Sequence, residues 1–359
     1  TLRKTNDRMK PVPALLPLSW FYGCGVVLRN LFFDWEMFHT EHVGVPVISV
    51  GNISAGGTGK TPVVESIART LAEKGLLAGI ISRGYKRSTR GLVAVSDGKS
   101  LKVTAQESGD EPHQLAMHLP QTVIVVDEQR LRGARYAVNS LGVQAIILDD
   151  GFQHRAIHRD LDIVVIDASR SPFSMRMLPA GYRRDTYSSF KRSEIFLLTK
   201  MKQTTTVDRL EERIRNFSDA KIFTSTFSIA SFRRAKTKFS VNLESVKGKK
   251  AVAFCGIGQP GSFRTSLEEI GVHVVSLMPF EDHHSYSRAD LARVATEQEK
   301  LSAEYIVTTE KDMARLSGSA SGDFLEKNPV FYVEMRTEIH QQKEWDALVL
   351  STIKKKNGQ

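Results

Sequence analysis

The sequence predicts an α/β protein with two units, each built on a parallel sheet, and an amphipathic helix at the N-terminus. Short β-branched runs alternate with helical stretches along most of the chain, which is typical of α/β architecture. Residues 201–250 break this rhythm and separate two sets of such runs. A glycine-rich segment at residues 51–61 follows one run and precedes a helical pattern. We therefore expect a phosphate-loop domain, a connector and a second, smaller α/β domain.

The candidate strands define the boundaries of these domains. In the first unit they are residues 45–50, 78–82, 123–126, 145–148, 163–166 and 195–198, and in the second 251–255, 272–276, 305–308 and 330–333. Residues 221–228 and 239–243 have the pattern of a hairpin in the connector. The expected division is an N-terminal helix at 1–43, a phosphate-loop domain at 44–220, a connector at 221–248 and a second domain at 249–359.

The composition is that of an ordinary globular protein. The chain has 359 residues, of which 41% are hydrophobic and 25% charged, and this length is enough for two domains. A net charge of +10 fits an anionic partner such as a nucleotide, an acidic lipid surface or nucleic acid. We expect no nucleic acid, because the basic cluster at residues 233–238 is typical of a solvated face. Cys24 and Cys255 lie far apart and outside any Cys/His cluster, which argues against a disulfide framework or zinc site and fits a reducing cytoplasm.

The N-terminal segment combines basic residues with an apolar helix face. Residues 1–10 carry four basic residues against one acid, and an apolar run follows at 12–28. This run is shorter than the roughly 20 residues that a spanning helix needs, and prolines and glycines interrupt it. From Phe21 to Phe38 the apolar residues fall on one face of a helix. Such a helix lies either in a membrane interface or against the protein's own core, and the pattern leaves both open.

A nucleotide-binding loop is predicted at residues 51–61. The segment ends as the Walker A pattern does, although Ser54 stands at the first glycine of that pattern. Glycines let backbone N–H groups face phosphates, and the N-terminus of the following helix adds partial positive charge. The loop residues expected to bind the nucleotide are Gly56, Gly57, Thr58, Gly59, Lys60 and Thr61. Of these, Lys60 would reach the β- and γ-phosphates, and the Thr61 hydroxyl would bind Mg²⁺.

Two other nucleotide-binding classes fit less well. ParA/MinD-like ATPases carry a signature lysine before the glycine pair, where this chain has Ala55. GTPases need an N/T-K-x-D motif, which Thr199 and Lys200 begin, but Lys202 stands in place of the aspartate. The sequence therefore favours ATP over GTP, and a ParA/MinD-like ATPase switch remains the alternative function.

A metal site is predicted where an apolar strand ends in two carboxylates. Residues 145–148 lead directly into Asp149 and Asp150, which is the pattern of a Walker B segment beside a phosphate loop. Mg²⁺ prefers oxygen ligands and keeps several waters, so one carboxylate can bind the ion while the other orients a water. His154 follows closely, and it either contacts the phosphates or fixes the turn.

Together, these and further segments resemble the tetraacyldisaccharide 4′-kinases, the lipid A 4′-kinases of Gram-negative bacteria. The resemblance runs over nearly the whole chain. Its segments are Pro17-Leu-Ser19, Tyr22, Val50-Gly-Asn52, Gly56-Gly-Thr-Gly-Lys-Thr-Pro62, Ser82-Arg-Gly-Tyr85, Gly109-Asp-Glu-Pro112, Asp127-Glu-x-Arg130, Asp149-Asp-Gly-Phe-Gln-His154, Arg159-Asp160, Leu178-Pro-Ala-Gly181, Gly256-Ile-Gly258, Asp282-His283 and Thr309-Glu-Lys-Asp312. Each segment is moderately informative, and all of them in this order are highly specific.

The resemblance implies an ATP- and Mg²⁺-dependent kinase that phosphorylates the 4′-hydroxyl of a tetraacyldisaccharide 1-phosphate in lipid A biosynthesis. It also implies a P-loop NTPase-like fold and a peripheral protein, whose N-terminal helix contacts the cytoplasmic face of the inner membrane. At matching positions, Asp110 is the catalytic carboxylate and His283 its partner. The other matching residues are Lys60, Thr61, Asp149 and Asp150 for nucleotide and metal, with Glu111, Arg130 and His154 as further active-site residues.

Pattern alone would not select the catalytic pair. Asp110 is equally a helix cap, and His283 has the setting of a surface or second-layer histidine. A sugar hydroxyl is a poor nucleophile at neutral pH, so a carboxylate that accepts its proton fits the implied reaction. A histidine could orient that carboxylate, as in other relays.

Two local features need separate interpretation. Tyr182-Arg-Arg184-Asp185 stands where the family has Pro-x-Arg-Glu, and this departure concerns the local contact of a shorter acid and not the function. Gly256-x-Gly258-x-x-Gly261 imitates a dinucleotide fingerprint, and we expect it to form only a strand-to-helix turn.

Overall fold

The computed structural model of this chain describes residues 13–200, 207–282, 284–316 and 322–357. They belong to two compact units. The first runs to Thr226 and takes up the chain again at Ile339, and the second is Phe227–Glu338. The chain thus passes between the units inside two long strands, at residues 226/227 and 338/339.

The elements alternate as the sequence predicts. The strands are β1 (Val47–Gly51), β2 (Ala78–Ser82), β3 (Val93–Asp97), β4 (Val123–Val126), β5 (Ala145–Asp149), β6 (Leu161–Asp167), β7 (Ile195–Thr199), β8 (Lys221–Arg234), β9 (Ser240–Val241), β10 (Lys250–Cys255), β11 (His273–Pro279), β12 (Tyr305–Thr309) and β13 (Val330–Ile339). The α-helices are α1 (Leu16–Asp34), α2 (Lys60–Glu73), α3 (Ala105–Ser108), α4 (Asp110–His118), α5 (Arg130–Leu141), α6 (Val207–Arg215), α7 (Pro260–Glu269), α8 (Arg288–Lys300), α9 (Glu310–Arg315), α10 (Gly322–Lys327) and α11 (Gln342–Asn357). Short 3₁₀ helices lie at Pro13–Leu15, Pro172–Ser174, Tyr187–Arg192 and Leu243–Val246.

A mostly parallel sheet forms the centre of the first unit. Its order is β8-β7-β6-β1-β5-β2-β4-β3, with parallel pairs from β8 to β4 and an antiparallel β3 at the edge. Every residue of β1, β2, β5 and β7 is buried. Burial on both faces is what parallel strands covered by helices require, and it explains why these strands are continuous apolar runs.

Helices cover both faces of this sheet. On one face α2, α4 and α11 contribute Ile67, Leu115 and Trp345 to a common core. On the other face α5 and α6 contribute Ala134 and Ile214. The apolar face of each helix packs against the strand side chains that point to its side of the sheet. The sheet therefore has an apolar layer on each of its two faces.

The C-terminal helix departs from the expected division of the chain. We assigned residues 249–359 to the second domain, but the described residues from Ile339 onward belong to the first unit. The ring of Trp345 is fully buried and lies 5.5 Å from that of Phe223, centroid to centroid. Because Val349 and Ile353 are buried in the same core, the apolar face of α11 has its partners in the first unit.

The second unit is a smaller α/β structure. Its sheet has the order β11-β10-β12-β13-β8, parallel from β11 to β13, and β9 adds to β8 in antiparallel orientation. Helix α7 buries Phe263 and Leu267 on one side, and α8 buries Leu291 and Val294 in a second core. The predicted α/β fold class is confirmed, with every candidate strand present. Two details differ: β3 was not predicted, and the connector holds one continuous strand, β8, with only the two-residue β9 beside it.

Helix α1 turns a polar face inward and an apolar face outward. Its buried residues are Ser19, Val26 and Asn30, whose spacing places them on one side of the helix. The opposite side carries large apolar groups such as Trp20, 80% exposed, and Phe21, 77% exposed. These side chains therefore do not pack against the core of the first unit. Within the described part of the chain, no helix combines the length and apolar character needed to cross a membrane.

Candidate active site

The predicted phosphate loop and carboxylates meet at one edge of the first sheet. Strand β1 leads into the loop, and its neighbour β5 ends at Asp149. The two strands are parallel, with Val50 in register with Asp149. Because carboxyl ends of parallel strands lie at the same edge, both segments open onto one site, as ligand sites in α/β sheets do.

The loop conformation depends on glycine at two positions. Gly56 has φ +111° and Gly59, the residue before α2, has φ +89°, a region that residues with a Cβ rarely adopt. Helix α2 then begins at Lys60, with Thr61 in its first turn. The loop therefore presents a helix N-terminus and an ammonium group to the same space, the arrangement that binds phosphate.

Side chains from neighbouring strands hold the loop in place. Asn52 Nδ2 donates to Thr58 Oγ1 at 2.8 Å, and Thr199 Oγ1 donates to the Thr58 carbonyl at 2.8 Å. Lys200 Nζ donates to the Gly57 carbonyl at 2.5 Å and to Asp167 at 2.8 Å. The Thr-Lys pair that imitates a GTPase motif thus supports the phosphate loop from β7.

Asp149 is a buried carboxylate among other acids. It accepts a hydrogen bond from Ser82 Oγ at 3.0 Å, across the sheet from the end of β2. Burial raises the pKa of Asp149 to about 6, and the nearby Glu111 and Asp150 carboxylates add to this rise. A cation among these oxygens would relieve their repulsion.

Asp150 has the opposite electrostatic setting. Burial alone would raise its pKa, but Lys60, Arg184 and Arg130 outweigh it and lower the pKa of Asp150 to about 2. Lys60 Nζ lies 3.3 Å from Oδ1. The backbone of Asp150 has φ +55°, a strained conformation for a residue other than glycine. Such strain at the end of a strand is common where a side chain is aimed at a ligand.

Arg184 connects Asp150 to the phosphate loop. Its Nη1 donates to Asp150 Oδ2 at 2.9 Å, and Nη2 donates to Asn52 Oδ1 at 2.8 Å and to the Ser54 carbonyl at 3.2 Å. The backbone near Arg184 also pairs with the loop, since its N–H donates to the Ile53 carbonyl at 2.7 Å. One guanidinium therefore fixes the loop backbone and a carboxylate together.

The remaining predicted residues surround this centre. Asp110 and Glu111 occupy the first turn of α4, after Gly109 with φ +92°. Arg130 begins α5, and its pKa is lowered by burial although Asp150 and Asp149 oppose the shift. His154 is half-buried, and burial followed by the charges of Arg130, Arg159 and Arg29 lowers its pKa to about 4.

Three buried nitrogens here lack a protein partner. They are His154 Nε2, Arg130 Nε and Arg184 Nε, which make no hydrogen bond within the described residues. Buried polar groups are normally paired, so unpaired nitrogens beside a cluster of charges fit a site that binds an anionic, oxygen-rich ligand. A neutral imidazole and a guanidinium are suitable partners for phosphate oxygens.

The structure brings most of the predicted residues to one site in the first unit. Lys60, Asp149, Asp150, Glu111 and Arg130 interact electrostatically there. His283 lies outside the described residues. Asp185, the acid in the segment that departs from the family pattern, is fully buried and accepts a hydrogen bond from Asn30. Sequence reasoning missed the roles of Ser82, Asn52, Thr199, Lys200 and Arg184; a usable signal for Ser82, Asn52 and Thr199 was their place at the carboxyl ends of strands.

Comparison with known proteins gives one consistent result. The family model described as "LpxK: Tetraacyldisaccharide-1-P 4′-kinase" matches residues 12–354. A tetraacyldisaccharide 4′-kinase from Desulfotalea psychrophila is 36% identical over 344 residues, covering 94% of this chain and 95% of the relative. A kinase of the same name from Chlorobium limicola is 35% identical over 347 residues, covering 95% and 97%. The crystal structure of LpxK from Aquifex aeolicus in complex with ATP matches with a TM-score of 0.76 and 30% identity, over 95% of this chain and 98% of that one.

Proposed function

This chain belongs to the tetraacyldisaccharide-1-phosphate 4′-kinase family, and from that premise we propose how its residues share the work of phosphate transfer. As a member it is an ATP-dependent kinase that phosphorylates the 4′-hydroxyl of a tetraacyldisaccharide 1-phosphate in lipid A biosynthesis. We assign these roles mainly from the position of Asp150 beside the phosphate loop. Its carboxylate lies 3.3 Å from Lys60 Nζ and 2.9 Å from Arg184 Nη1. Catalysis of phosphoryl transfer is mostly positioning and electrostatic stabilisation, and this arrangement supplies both.

The nucleotide and metal roles follow from this geometry. Residues 56–59 and the start of α2 cradle the phosphates with backbone N–H groups, and Lys60 neutralises their charge. Asp150, Asp149 and the Thr61 hydroxyl form an all-oxygen donor set for Mg²⁺. The raised pKa of Asp149, caused first by burial and then by Glu111 and Asp150, supports a bound cation at these oxygens. When bound, Mg²⁺ would neutralise phosphate charge and orient the nucleotide.

The acceptor hydroxyl needs a base, and we assign that role to Asp110. Its place in the first turn of α4 puts it next to Glu111, which lies close enough to Asp149 to raise that group's pKa. A carboxylate at the edge of the phosphate site can accept the proton of a sugar hydroxyl as the phosphate moves. His283 is assigned as its partner from the family resemblance.

The lipid substrate calls for a membrane surface, and α1 has the matching face. Trp20 and Phe21, 80% and 77% exposed, extend its outer side together with Leu28 and Trp35. A contiguous apolar face on a single helix is costly in water and suits burial at the boundary of headgroups and acyl chains. We place the protein peripherally on the cytoplasmic face of the inner membrane, where basic residues of the chain would meet anionic lipids.

The test of this function is direct transfer of phosphate. ATP carrying a labelled γ-phosphate is offered with and without tetraacyldisaccharide 1-phosphate dispersed in detergent. Label should appear in the lipid only with the wild-type protein, and Lys60→Ala serves as the inactive control. Label that reaches only inorganic phosphate would support the alternative, a ParA/MinD-like ATPase switch, which needs no acceptor.

A further inference from the structure

The inner face of α1 is held by polar contacts. Asn30 and Asp185 are both buried, with exposed fractions of 7% and 0%, and Asn30 Nδ2 donates to Asp185 Oδ1 at 3.0 Å. Near the other end of α1, Ser19 Oγ donates to the Met177 carbonyl at 3.1 Å and accepts from the Ala180 N–H at 2.9 Å. Apolar packing contributes little on this face, since Val26 is its only buried apolar residue. Hydrogen bonds therefore set where the helix and the loop at residues 177–185 meet.

That loop supplies the arginine of the phosphate site. Arg184 immediately precedes Asp185, and its guanidinium donates to Asp150 and Asn52. Helix α1 contacts both residues of the pair, because Tyr22 Oη also donates to the Arg184 carbonyl at 3.1 Å. Because its own carbonyl and the neighbouring Asp185 are both hydrogen-bonded to α1, the backbone of Arg184 has little freedom to move. The opposite face of α1 is apolar and exposed.

We propose that Asn30 is a positioning residue for phosphate transfer: by fixing Asp185 it holds Arg184 against Asp150, and α1 thereby shapes the metal site as well as contacting lipid. This inference rests on the proposed role of Asp150 as a Mg²⁺ ligand. Asn30 is buried and bonded to Asp185, so we expect it to act through Arg184 and not by direct contact with nucleotide or acceptor. Its amide suits the task because a buried carboxylate needs donors, and the others at Asp185 are the Thr186 N–H at 2.9 Å and Arg192 at 3.5 Å.

The proposal predicts a specific defect. Without Asn30, Arg184 loses part of its support and Asp150 is less well oriented, so Mg²⁺-dependent binding of nucleotide should weaken. Binding of nucleotide in EDTA should change less, because Arg184 bonds Asp150 and the start of the loop at residues 52–54 but makes no bond to residues 56–60, which hold the phosphates. Binding to lipid vesicles should also be kept, because the exposed face of α1 is intact. A general loss of folding would reduce all three together.

The experiment compares the wild-type chain with four variants. Asn30→Leu removes the donor at similar volume, and Asn30→Asp places a carboxylate opposite Asp185. The double variant Asn30→Asp/Asp185→Asn exchanges the two groups, so that an amide again faces a carboxylate. Gly25→Ala is the matched control on α1, because a Cβ there meets nothing within 4 Å.

Three readouts are measured for each form: binding of a non-hydrolysable ATP analogue with Mg²⁺ and with EDTA, flotation with phosphatidylglycerol-containing vesicles, and the melting temperature. We expect Asn30→Leu and Asn30→Asp to weaken Mg²⁺-dependent binding about fivefold or more, since hydrogen bonds to charged groups are strong. Binding in EDTA and flotation should stay within about twofold of wild type, as for independent sites. The exchanged pair should recover binding relative to Asn30→Asp.

Two results would overturn the proposal. One is wild-type Mg²⁺-dependent binding by Asn30→Leu. The other is an equal loss with Mg²⁺ and EDTA, which would make Asn30 a purely structural residue. Should Asn30→Leu melt too low for study, the comparison of Asn30→Asp with the exchanged pair decides the question. The readout is nucleotide binding, so it stays separate from the kinase assay: wild-type protein that binds Mg²⁺·ATP but labels no lipid contradicts the proposed function alone.

Discussion

Arg184 Nη1 lies 2.9 Å from Asp150 Oδ2, although 34 positions separate the two residues in the sequence. The same carboxylate faces Lys60 Nζ at 3.3 Å on its other oxygen. Asp150 therefore lies between two cationic side chains. Preorganised charge of this kind lowers the reorganisation needed during reaction, which is the main way proteins assist phosphoryl transfer.

Arg184→Lys should lower turnover even though the charge is kept. Arg184 contacts Asp150, Asn52 and the Ser54 carbonyl at once, and the single ammonium of lysine cannot reproduce that planar fork. We expect a loss of about tenfold or more in kcat/KM for ATP, the size of a strong hydrogen bond to a charged group. Steady-state kinetics measure it. Arg170→Lys, at an exposed arginine, is the control, and equal activity of both variants would show that the fork is dispensable.

Lys60→Ala and Asp150→Ala should each nearly abolish transfer of phosphate to lipid. Each removes a charge that faces the phosphates or the metal, and loss of one such group costs about 10²–10³ in kcat. Label transfer from ATP to the lipid measures the effect. Lys74→Ala, at the exposed end of the same helix α2, should behave as wild type. Near-normal transfer by either site variant would mean that a different loop or strand holds the reacting groups.

The parts of this site that could be predicted are those tied to regular structure. Lys60 follows a glycine-rich loop after a buried strand, and Asp149 ends the next strand in the sheet, so both positions follow from the convergence of parallel strands. Arg184 could not be found in this way. It lies in an irregular stretch between β6 and β7 without hydrophobic periodicity, and its contacts reach back to the loop at residues 52–54.

Hydrophobic periodicity also does not tell whether the apolar face of a helix points to the protein core or to its surroundings. The spacing from Phe21 to Phe38 predicted an apolar face on α1, but the same pattern would describe a helix packed on the core. Only the partners of Ser19 and Asn30, on the loop at residues 177–185, show which side is inward. Strand β3 was missed for a related reason: it is an edge strand in which three of the five residues are only partly buried, so its apolar pattern is weak.

His154 should make the first unit less stable as pH falls below neutrality. Burial, with Arg130, Arg159 and Arg29, lowers the pKa of His154 in the folded protein to about 4, whereas an unfolded histidine titrates at about 6.5. Between these values the unfolded chain binds more protons, so the free energy of unfolding rises with pH through that window and decreases as pH falls. His154→Gln should lose this dependence.

Urea unfolding at pH 7.5 and pH 5 tests the effect. The decrease in unfolding free energy should be larger for wild type than for His154→Gln, by on the order of 1–2 kcal/mol. His39→Gln, at an exposed histidine, should keep the wild-type dependence. Identical pH dependence of wild type and His154→Gln would show that the imidazole is not held neutral by its surroundings.

Trp20→Ser/Phe21→Ser should weaken binding to lipid vesicles while ATP binding stays intact. These two side chains lie on the outer face of α1, away from Asn30 and the loop that carries Arg184. Removing two exposed aromatic groups should cost about 2–4 kcal/mol of interfacial binding, from the area that they would bury. Vesicle flotation measures the change. Phe239→Ser is a matched control, because Phe239 is also exposed, at 76%, but lies far along the chain from α1; an equal loss for both would indicate nonspecific adhesion.

Asp110→Asn should abolish transfer to the lipid without weakening ATP binding. An amide keeps the size of the side chain but cannot accept the proton of the 4′-hydroxyl, and the loss of a general base costs about 10²–10⁴ in kcat. Nucleotide affinity should be unchanged, since Lys60 and the loop at residues 56–59 are untouched.

His283→Ala should act in the same direction but more mildly. If the two residues work as a unit, the double variant will lose little more than Asp110→Asn alone, because coupled catalytic groups are not additive. Turnover and ATP affinity of the four proteins decide between the possibilities: multiplicative losses would mean independent roles, and weakened ATP binding by Asp110→Asn would make that carboxylate a nucleotide or metal ligand.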